Sequence, residues 1–430
     1  MSRRFASEAD KGPRSFWREN SVYIYKAAVV GGGAMGAGIA QVISYSGLPV
    51  VLREVTAELA EKALASIRKV YQGRVDKGKM SGAEMASKMA LVSVTTDLQS
   101  LKDVDIVIEA VPEKMEIKKK LFQELDAVLP GHALLASNTS ALSISALGAA
   151  TKRPEKVVGI HFFFPAHVMK LIEVIPGLAT SEETVTDSIA FCESLRKIPV
   201  RVNECAGFLV NRILMPYLNE AAFCAEEGSS LKEIDQTMVD FGFPMGPFIL
   251  VDTIGLDICH DVVGILLAEY GRRMTPAELW EEVYQKKRFG VKNGSGFYNY
   301  KGEEKDRVVE DILDKIRKKE PAKFAGGGKA PFSANRLLMA MINEAAMCLQ
   351  EKVASPADID VAVLAGIGFP QAKGGLLQYA DELGIDAVLK ELGSLNKIYG
   401  DRFWPAPILG RMVMAGFLGK KTKRGFLEYA

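Results

Sequence analysis

From Lys26 the chain alternates short apolar runs with longer stretches whose apolar residues recur at helical spacing. Ala27–Val30 precedes Met35–Ser46, and Pro49–Leu52 precedes Ala57–Val70. Strands covered on both faces by helices read as unbroken apolar runs, so this alternation predicts βαβ units around a parallel sheet. Further strands are predicted at Ala90–Val94, Val104–Ile108, Ala133–Ser137, Val157–Ile160, Leu171–Val174 and Pro199–Val202, each bounded by turn or helix signals. After Val202 the short runs stop, and helical patterns such as Phe208–Glu226 and Leu231–Phe241 take over. A separate helical domain is expected to begin there.

The helical part repeats itself. Asn211–Arg212, Asn219–Glu220, Ile234–Asp235, Gly242–Pro244 and Gly255–Asp257 recur in the same order as Asn335–Arg336, Asn343–Glu344, Ile359–Asp360, Gly368–Pro370 and Gly384–Asp386. The closing segment Phe289–Tyr298 is echoed by Leu418–Leu427. So many ordered matches, at an offset of roughly 125 to 130 residues, predict a duplicated helical domain whose second copy packs against the first. Between the copies, Lys301–Pro331 is rich in charge and then in glycine, with Gly326, Gly327 and Gly328 in a row. It reads as a linker with a solvated helix. The expected divisions are a tail over 1–25, the sheet domain over 26–203, helical copies over 204–300 and 332–430, and the linker over 301–331.

Composition narrows the function. With 430 residues, 48% of them hydrophobic and 25% charged, the chain can bury several cores. A net charge of +1 with interspersed signs gives no field suited to nucleic-acid phosphates or anionic lipid, so neither is an expected partner. The five cysteines are odd in number, widely spaced and without a C-x-x-C pair, which predicts neither disulfides nor zinc and suits a reducing, intracellular compartment. No apolar run reaches the roughly 18 residues of a membrane span, and Met1–Asn20 lacks the apolar core of a secretory signal. Glu8, Asp10 and Glu19 argue against a transit peptide. The expected place is the cytoplasm of a bacterial cell, with peroxisome and mitochondrion left open.

Chemistry first shows at the end of the first strand. Gly31, Gly33 and Gly36 form G-x-G-x-x-G where that strand opens into a helix. The first glycine permits the tight turn, the second lets backbone approach a pyrophosphate, and the third lets helix and strand pack closely. The helix N-terminus adds N–H donors and a positive dipole end. Such a motif alone is weak, but in this position it predicts a Rossmann-type dinucleotide-binding domain. Glu54, at the end of the second strand, can accept hydrogen bonds from both adenosine ribose hydroxyls and would repel a 2′-phosphate. NAD is therefore the expected cofactor, although the adjacent Arg53 leaves NADP open. The fold class expected overall is an α/β Rossmann-type N-terminal domain followed by a duplicated all-α C-terminal domain.

Of the four histidines, His161 ends an apolar strand, and Glu173 lies on the next one. A histidine on an apolar strand is ordinarily a satisfied core residue. A carboxylate partner changes that reading, because it fixes the tautomer and stabilises the imidazolium, leaving the other ring nitrogen to take a proton from an alcohol.

The segments Val30–Gly38, Ile108–Glu113, Ala136–Ser140, His161–Pro165, Val168–Val174, Gly207–Arg212, Met245–Pro247 and Phe289–Tyr298, taken in order, carry a resemblance. From about Lys26 to its end the chain resembles the 3-hydroxyacyl-CoA dehydrogenase family, specifically the dehydrogenase half of bifunctional enzymes that join it to an enoyl-CoA hydratase. The resemblance implies NAD-dependent, reversible oxidation of (S)-3-hydroxyacyl-CoA to 3-ketoacyl-CoA in fatty-acid β-oxidation, with an acyl-CoA substrate. It implies that His161 is the general base, Glu173 its orienting partner, and Ser140 and Asn211 ligands of the reacting oxygen. It further implies cofactor contacts from Gly31, Gly33, Ala34, Met35, Gly36, Glu54, Ala110, Val111, Asn138 and Ser140. Glu113 and Lys118 would lie near the nicotinamide ribose, and Ser66 would contact coenzyme A.

Two features depart from the family. Phe164 stands where the family usually has an Asn that touches the cofactor. Met1–Tyr25 is too short for a hydratase and resembles a remnant of the interdomain linker, so hydratase activity is not expected. Two alternatives remain: a dehydrogenase of a small 3-hydroxy acid or sugar acid without coenzyme A, and a catalytically silent NAD-binding or structural protein. A monomer with a pseudo-dimeric helical half is expected, and a homodimer is the alternative.

Overall fold

The computed structural model describes residues 23–302, 306–319 and 332–430. Its strands are β1 (Ala27–Val30), β2 (Val50–Arg53), β3 (Val92–Thr95), β4 (Ile106–Glu109), β5 (Leu134–Ser137), β6 (Val157–Phe162), β7 (Leu171–Pro176) and β8 (Ile198–Arg201). They form one sheet in the order β3-β2-β1-β4-β5-β6-β7-β8. Neighbours run parallel except β6 and β7, which are antiparallel. The chain leaves β1 for β2 on one side and returns to β4 on the other. That reversal opens a crevice at the carboxyl ends of β1 and β4, where open α/β sheets bind ligands.

Around the sheet lie α1 (Ala34–Ser46), α2 (Ala57–Asp76), α3 (Gly82–Met89), α4 (Met115–Val128), α5 (Ile144–Gly148) and α6 (Glu182–Ser194). Alternate strand residues face opposite sides. Ala27, Val29, Ile106 and Ile108 pack with Ile39, Ile43, Ile67 and Tyr71 on one face. Ala28, Val30 and Val107 pack with Phe122 and Leu125 on the other. The second core runs without a break into the helical half, through Leu171, Ile175, Phe208 and Ile213.

The helical half continues with α7 (Val210–Glu226), α8 (Leu231–Phe241), α9 (Pro247–Ile254), α10 (Leu256–Tyr270) and α11 (Glu278–Gln285). Then come α12 (Val308–Lys319), α13 (Ala334–Gln350), α14 (Pro356–Ala362), α15 (Leu376–Leu383), α16 (Ile385–Tyr399) and α17 (Pro407–Met414). The helix predicted to start at Phe208 begins two residues later. Gly207 and Phe208 both hold positive φ, and the Glu173 carboxylate accepts the N–H groups of Leu209 and Val210, so a side chain from β7 sets the first turn. The linker also differs from expectation. Its helix α12 is not solvated all round: Val309, Ile312, Leu313 and Ile316 are buried on one face against α7 and α11. Gly326, Gly327 and Gly328 lie outside the described residues, as do Glu8, Asp10 and Glu19.

Repetition in sequence becomes a local two-fold in space. Helices α7 and α13 pack along each other and exchange charges reciprocally. Arg212 of α7 pairs with Glu344 and Glu351 at 2.7 Å each, and Arg336 of α13 pairs with Glu220 at 2.5 Å and Glu227 at 2.7 Å. Arg212 lies over the Tyr270 ring and Arg336 over Tyr399. A Cβ on Gly242 would strike Pro370, and one on Gly368 would strike Pro244. Arg212, Glu344, Arg336 and Glu220 are all nearly inaccessible. Buried ion pairs gain little net stability against their desolvation, but a mismatched register would strand unpaired charges in the core, so these select one packing. The second copy also touches the sheet domain. Asn203 bonds the carbonyls of Lys352 and Val353, and Gly366 lies where a side chain would collide with Leu171 of β7.

Candidate active site

The glycine-rich turn sits in the crevice. Gly31 has φ of 98°, and a Cβ there would come within 2.6 Å of the Ala110 carbonyl across the crevice. At Gly36 a Cβ would overlap the Gly31 carbonyl, so helix and strand pack backbone to backbone. Gly33 is different, because nothing lies within 4 Å of its absent side chain. The protein's own packing therefore does not call for glycine there. Among the described residues no side chain caps α1 at Gly33, and the first turn, starting with Ala34 and Met35, carries no acid, so its N–H donors are left for an outside acceptor. Glu54 follows β2 and accepts the Gly32 N–H at 2.5 Å and the Val55 N–H at 2.9 Å. Arg53 reaches the Thr96 carbonyl at 3.4 Å. Backbone donors at a bare glycine turn beside a carboxylate fit the pyrophosphate and ribose of NAD.

On the other side of the crevice the antiparallel pairing of β6 and β7 puts His161 directly opposite Glu173. His161 Nδ1 lies 2.7 Å from Glu173 Oε2, with His161 4% and Glu173 0% exposed. The second Glu173 oxygen accepts the Leu209 and Val210 N–H groups at 3.1 and 2.9 Å. One carboxylate therefore orients the imidazole and anchors the start of α7, whose next residue is Asn211. Phe163 and Phe208 pack on the imidazole with ring centroids at 4.6 and 5.9 Å. Among the described residues Nε2 has no hydrogen-bond partner, so it is the nitrogen open for chemistry.

Ser140 follows β5, and Asn211 comes from the helical half. The Asn211 Nδ2 lies 3.5 Å from the Ser140 carbonyl, which brings the two together across the domain boundary. Asn138 accepts the Phe162 N–H at 2.8 Å, tying the end of β5 to the strand that carries His161. Glu113 accepts the Ser140 N–H at 2.9 Å and the Thr139 hydroxyl, and pairs with Lys118 at 3.1 Å. Lys118 departs from the appearance of an ordinary solvated-helix lysine: it is 1% exposed, with Nζ 2.6 Å from Glu109. Val111 contributes its carbonyl to the same ammonium at 3.3 Å.

Ser66 is exposed on α2 and donates to the Lys62 carbonyl, with no contact to the other candidates. Phe164 is 59% exposed on the loop after β6. That loop is held by Lys197, which sequence reasoning missed. Its ammonium donates to the carbonyls of Ala166 and Met169 at 2.5 and 2.6 Å, and burial pushes its pKa down to about 8. Glu109 was missed as well, although an acid ending an apolar run was a visible signal. Among the described residues no acid, histidine or cysteine cluster could hold a metal, and no helix is long and apolar enough to cross a membrane.

A crevice shaped for a dinucleotide, bordered by a carboxylate-held imidazole, defines an NAD-dependent oxidoreductase. Residues 26–205 match the model for the NAD-binding domain of 3-hydroxyacyl-CoA dehydrogenase, and its C-terminal domain model matches twice, at 207–300 and 332–429. The chain belongs to the 3-hydroxyacyl-CoA dehydrogenase family. It is similar to the fatty acid oxidation complex subunit alpha of Shewanella amazonensis, with 39% identity over 91% of this chain and 56% of the relative. It thus spans little more than half the length of that relative. Among solved structures it is similar to 3-hydroxybutyryl-CoA dehydrogenase from Escherichia coli, with a TM-score of 0.81 and 31% identity over 91% of this chain and 99% of the other. The (S)-3-hydroxybutyryl-CoA dehydrogenase of Ralstonia eutropha aligns with a TM-score of 0.63 and 38% identity, over 65% of this chain and 99% of that one.

Proposed function

We propose that the chain oxidises the 3-hydroxyl of (S)-3-hydroxyacyl-CoA thioesters, reversibly, in fatty-acid β-oxidation. The observation that carries this reading is the His161 imidazole fixed by Glu173 on the same carboxyl edge of the sheet as the glycine-rich turn. Glu173 holds Nδ1 protonated, so Nε2 carries the lone pair that accepts the hydroxyl proton, and the resulting imidazolium lies against a carboxylate. Ser140 and Asn211 are the candidate ligands of the reacting oxygen, one from each domain, a reading supported by the contact of the Asn211 amide with the Ser140 carbonyl. NAD, held by the Gly31–Gly36 turn and Glu54, supplies the hydride acceptor. Glu113 and Lys118 border the same space, and Ser66 is the candidate contact for coenzyme A from α2. The five cysteines are free thiols, which suits a reducing, intracellular setting.

A panel of 3-ketoacyl-CoA thioesters of short, medium and long chain, assayed with NADH against the free 3-keto acids, tests the substrate. The thioesters are expected to exceed the acids by about tenfold or more in kcat/KM. Equal or faster turnover of the free acids would move the assignment to the small hydroxy acids.

The reciprocal Arg–Glu exchange favours a monomer, because one chain already supplies both halves of the helical packing. Sedimentation equilibrium is expected to return the mass of a single chain. Twice that mass would establish the homodimer instead.

A further inference from the structure

Glu109 is the last residue of β4, buried completely, and nothing in the proposed chemistry uses it. Its carboxylate is nevertheless fully engaged, with three donors upon it, as many as Glu173 has. Oε1 accepts the Lys118 ammonium at 2.6 Å and the Val111 N–H at 2.7 Å, and Oε2 accepts the Ser137 hydroxyl at 2.6 Å. Two chains of contacts leave it. The short one runs through the Ser137 oxygen to the Thr139 N–H at 3.2 Å. The long one runs through Lys118 to Glu113 at 3.1 Å, then to the Thr139 hydroxyl and the Ser140 N–H.

We propose that Glu109 is a positioning residue, which through these two arms holds the Thr139–Ser140 segment and hence the Ser140 side chain in its working place. The inference rests on the reading of Ser140 as a substrate contact. A buried acid–ammonium pair offers little net stability over an apolar core of equal volume. What it supplies is direction: three donors fix the Glu109 carboxylate, the Lys118 ammonium has an acceptor for each of its three protons, and both arms meet at Thr139, the long one reaching Ser140 as well. A turn held at one point can pivot; held from two sides it cannot. Contacts to a reacting oxygen lose their value when misplaced by a fraction of an ångström, so the closed ring matches what the site needs.

The test uses Glu109→Gln and Ser137→Ala, singly and combined, in the full chain. Glu109→Gln keeps the shape and removes the charge, and Ser137→Ala cuts the short arm alone. In Glu109→Gln, kcat with 3-ketoacyl-CoA is expected to fall about 10- to 100-fold, while KM for NADH stays within about threefold. Amide exchange at Thr139 and Ser140 is expected to speed up by about tenfold or more. The double variant should be no slower in turnover than Glu109→Gln, because both changes act along one path. Unchanged turnover with unchanged exchange at Thr139 and Ser140 would overturn the proposal. Should Glu109→Gln fail to fold, Glu109→Gln with Lys118→Met leaves no lone charge in the core and carries the same readouts. Recovery of both turnover and protection in that variant would reduce the pair to a spacer. A wild-type chain inactive on every thioester would refute the substrate reading instead, and the exchange measurement would still decide the role of Glu109.

Discussion

Glu173→Gln is expected to abolish most turnover while leaving the fold intact. The reason lies in what each oxygen of Glu173 does. Oε1 accepts two main-chain N–H groups at the start of α7, and Oε2 faces His161 Nδ1. A glutamine must keep its carbonyl toward those N–H donors, since an NH2 group there would confront them donor to donor. Its NH2 is thereby forced toward Nδ1. The imidazole then has to present an unprotonated Nδ1 and carry its hydrogen on Nε2, the tautomer that cannot accept a proton from an alcohol. Losses on the order of 10²–10⁴ in kcat follow from such a tautomer switch, or roughly 3–5 kcal/mol of transition-state stabilisation. Steady-state kinetics beside a thermal melt checks this: kcat should fall while Tm moves by a few degrees. A variant with wild-type kcat would remove Glu173 from the mechanism.

His161→Ala is expected to cost about as much, 10²–10⁴ in kcat, since proton transfer then depends on water. The glycine turn and Glu54, on β1, α1 and β2, make no contact with His161. NADH affinity, followed by the fluorescence of the bound cofactor, should therefore stay within about threefold of the wild type. Parallel loss of binding and turnover would mean that the imidazole shapes the cofactor site. Undiminished turnover would mean that another group takes the proton.

Much of this architecture was legible in the sequence for identifiable reasons. Buried parallel strands must be apolar on both faces, so β1, β4 and β5 appear as unbroken runs within a residue or two of their observed bounds. The glycine turn was legible because only glycine tolerates both the positive φ at Gly31 and the backbone contact at Gly36. The antiparallel turn at β7 was not drawn from the pattern, yet its cause is simple. Only residues 163–170 join β6 to β7, too few for a crossover helix, so the chain doubles back. That reversal is what sets His161 across from Glu173.

Other parts of the site were hidden because their meaning depends on residues distant in sequence. Lys118 sits among lysines on α4 and carries no local mark of burial; only the carboxylate of Glu109 arriving from β4 explains it. Arg212 and Glu220 were visible as markers of a repeat. That each would choose its partner in the other copy could not be read from either copy alone.

The doubled helical half has a consequence for behaviour at low concentration. Where two such halves belong to separate polypeptides, dilution pulls them apart. Here one continuous chain joins them, so their meeting is intramolecular whatever the amount of protein present. The support that α13 and Gly366 give to α7 and β7 is thus independent of expression level. Each copy is also free to accumulate substitutions that its counterpart does not share.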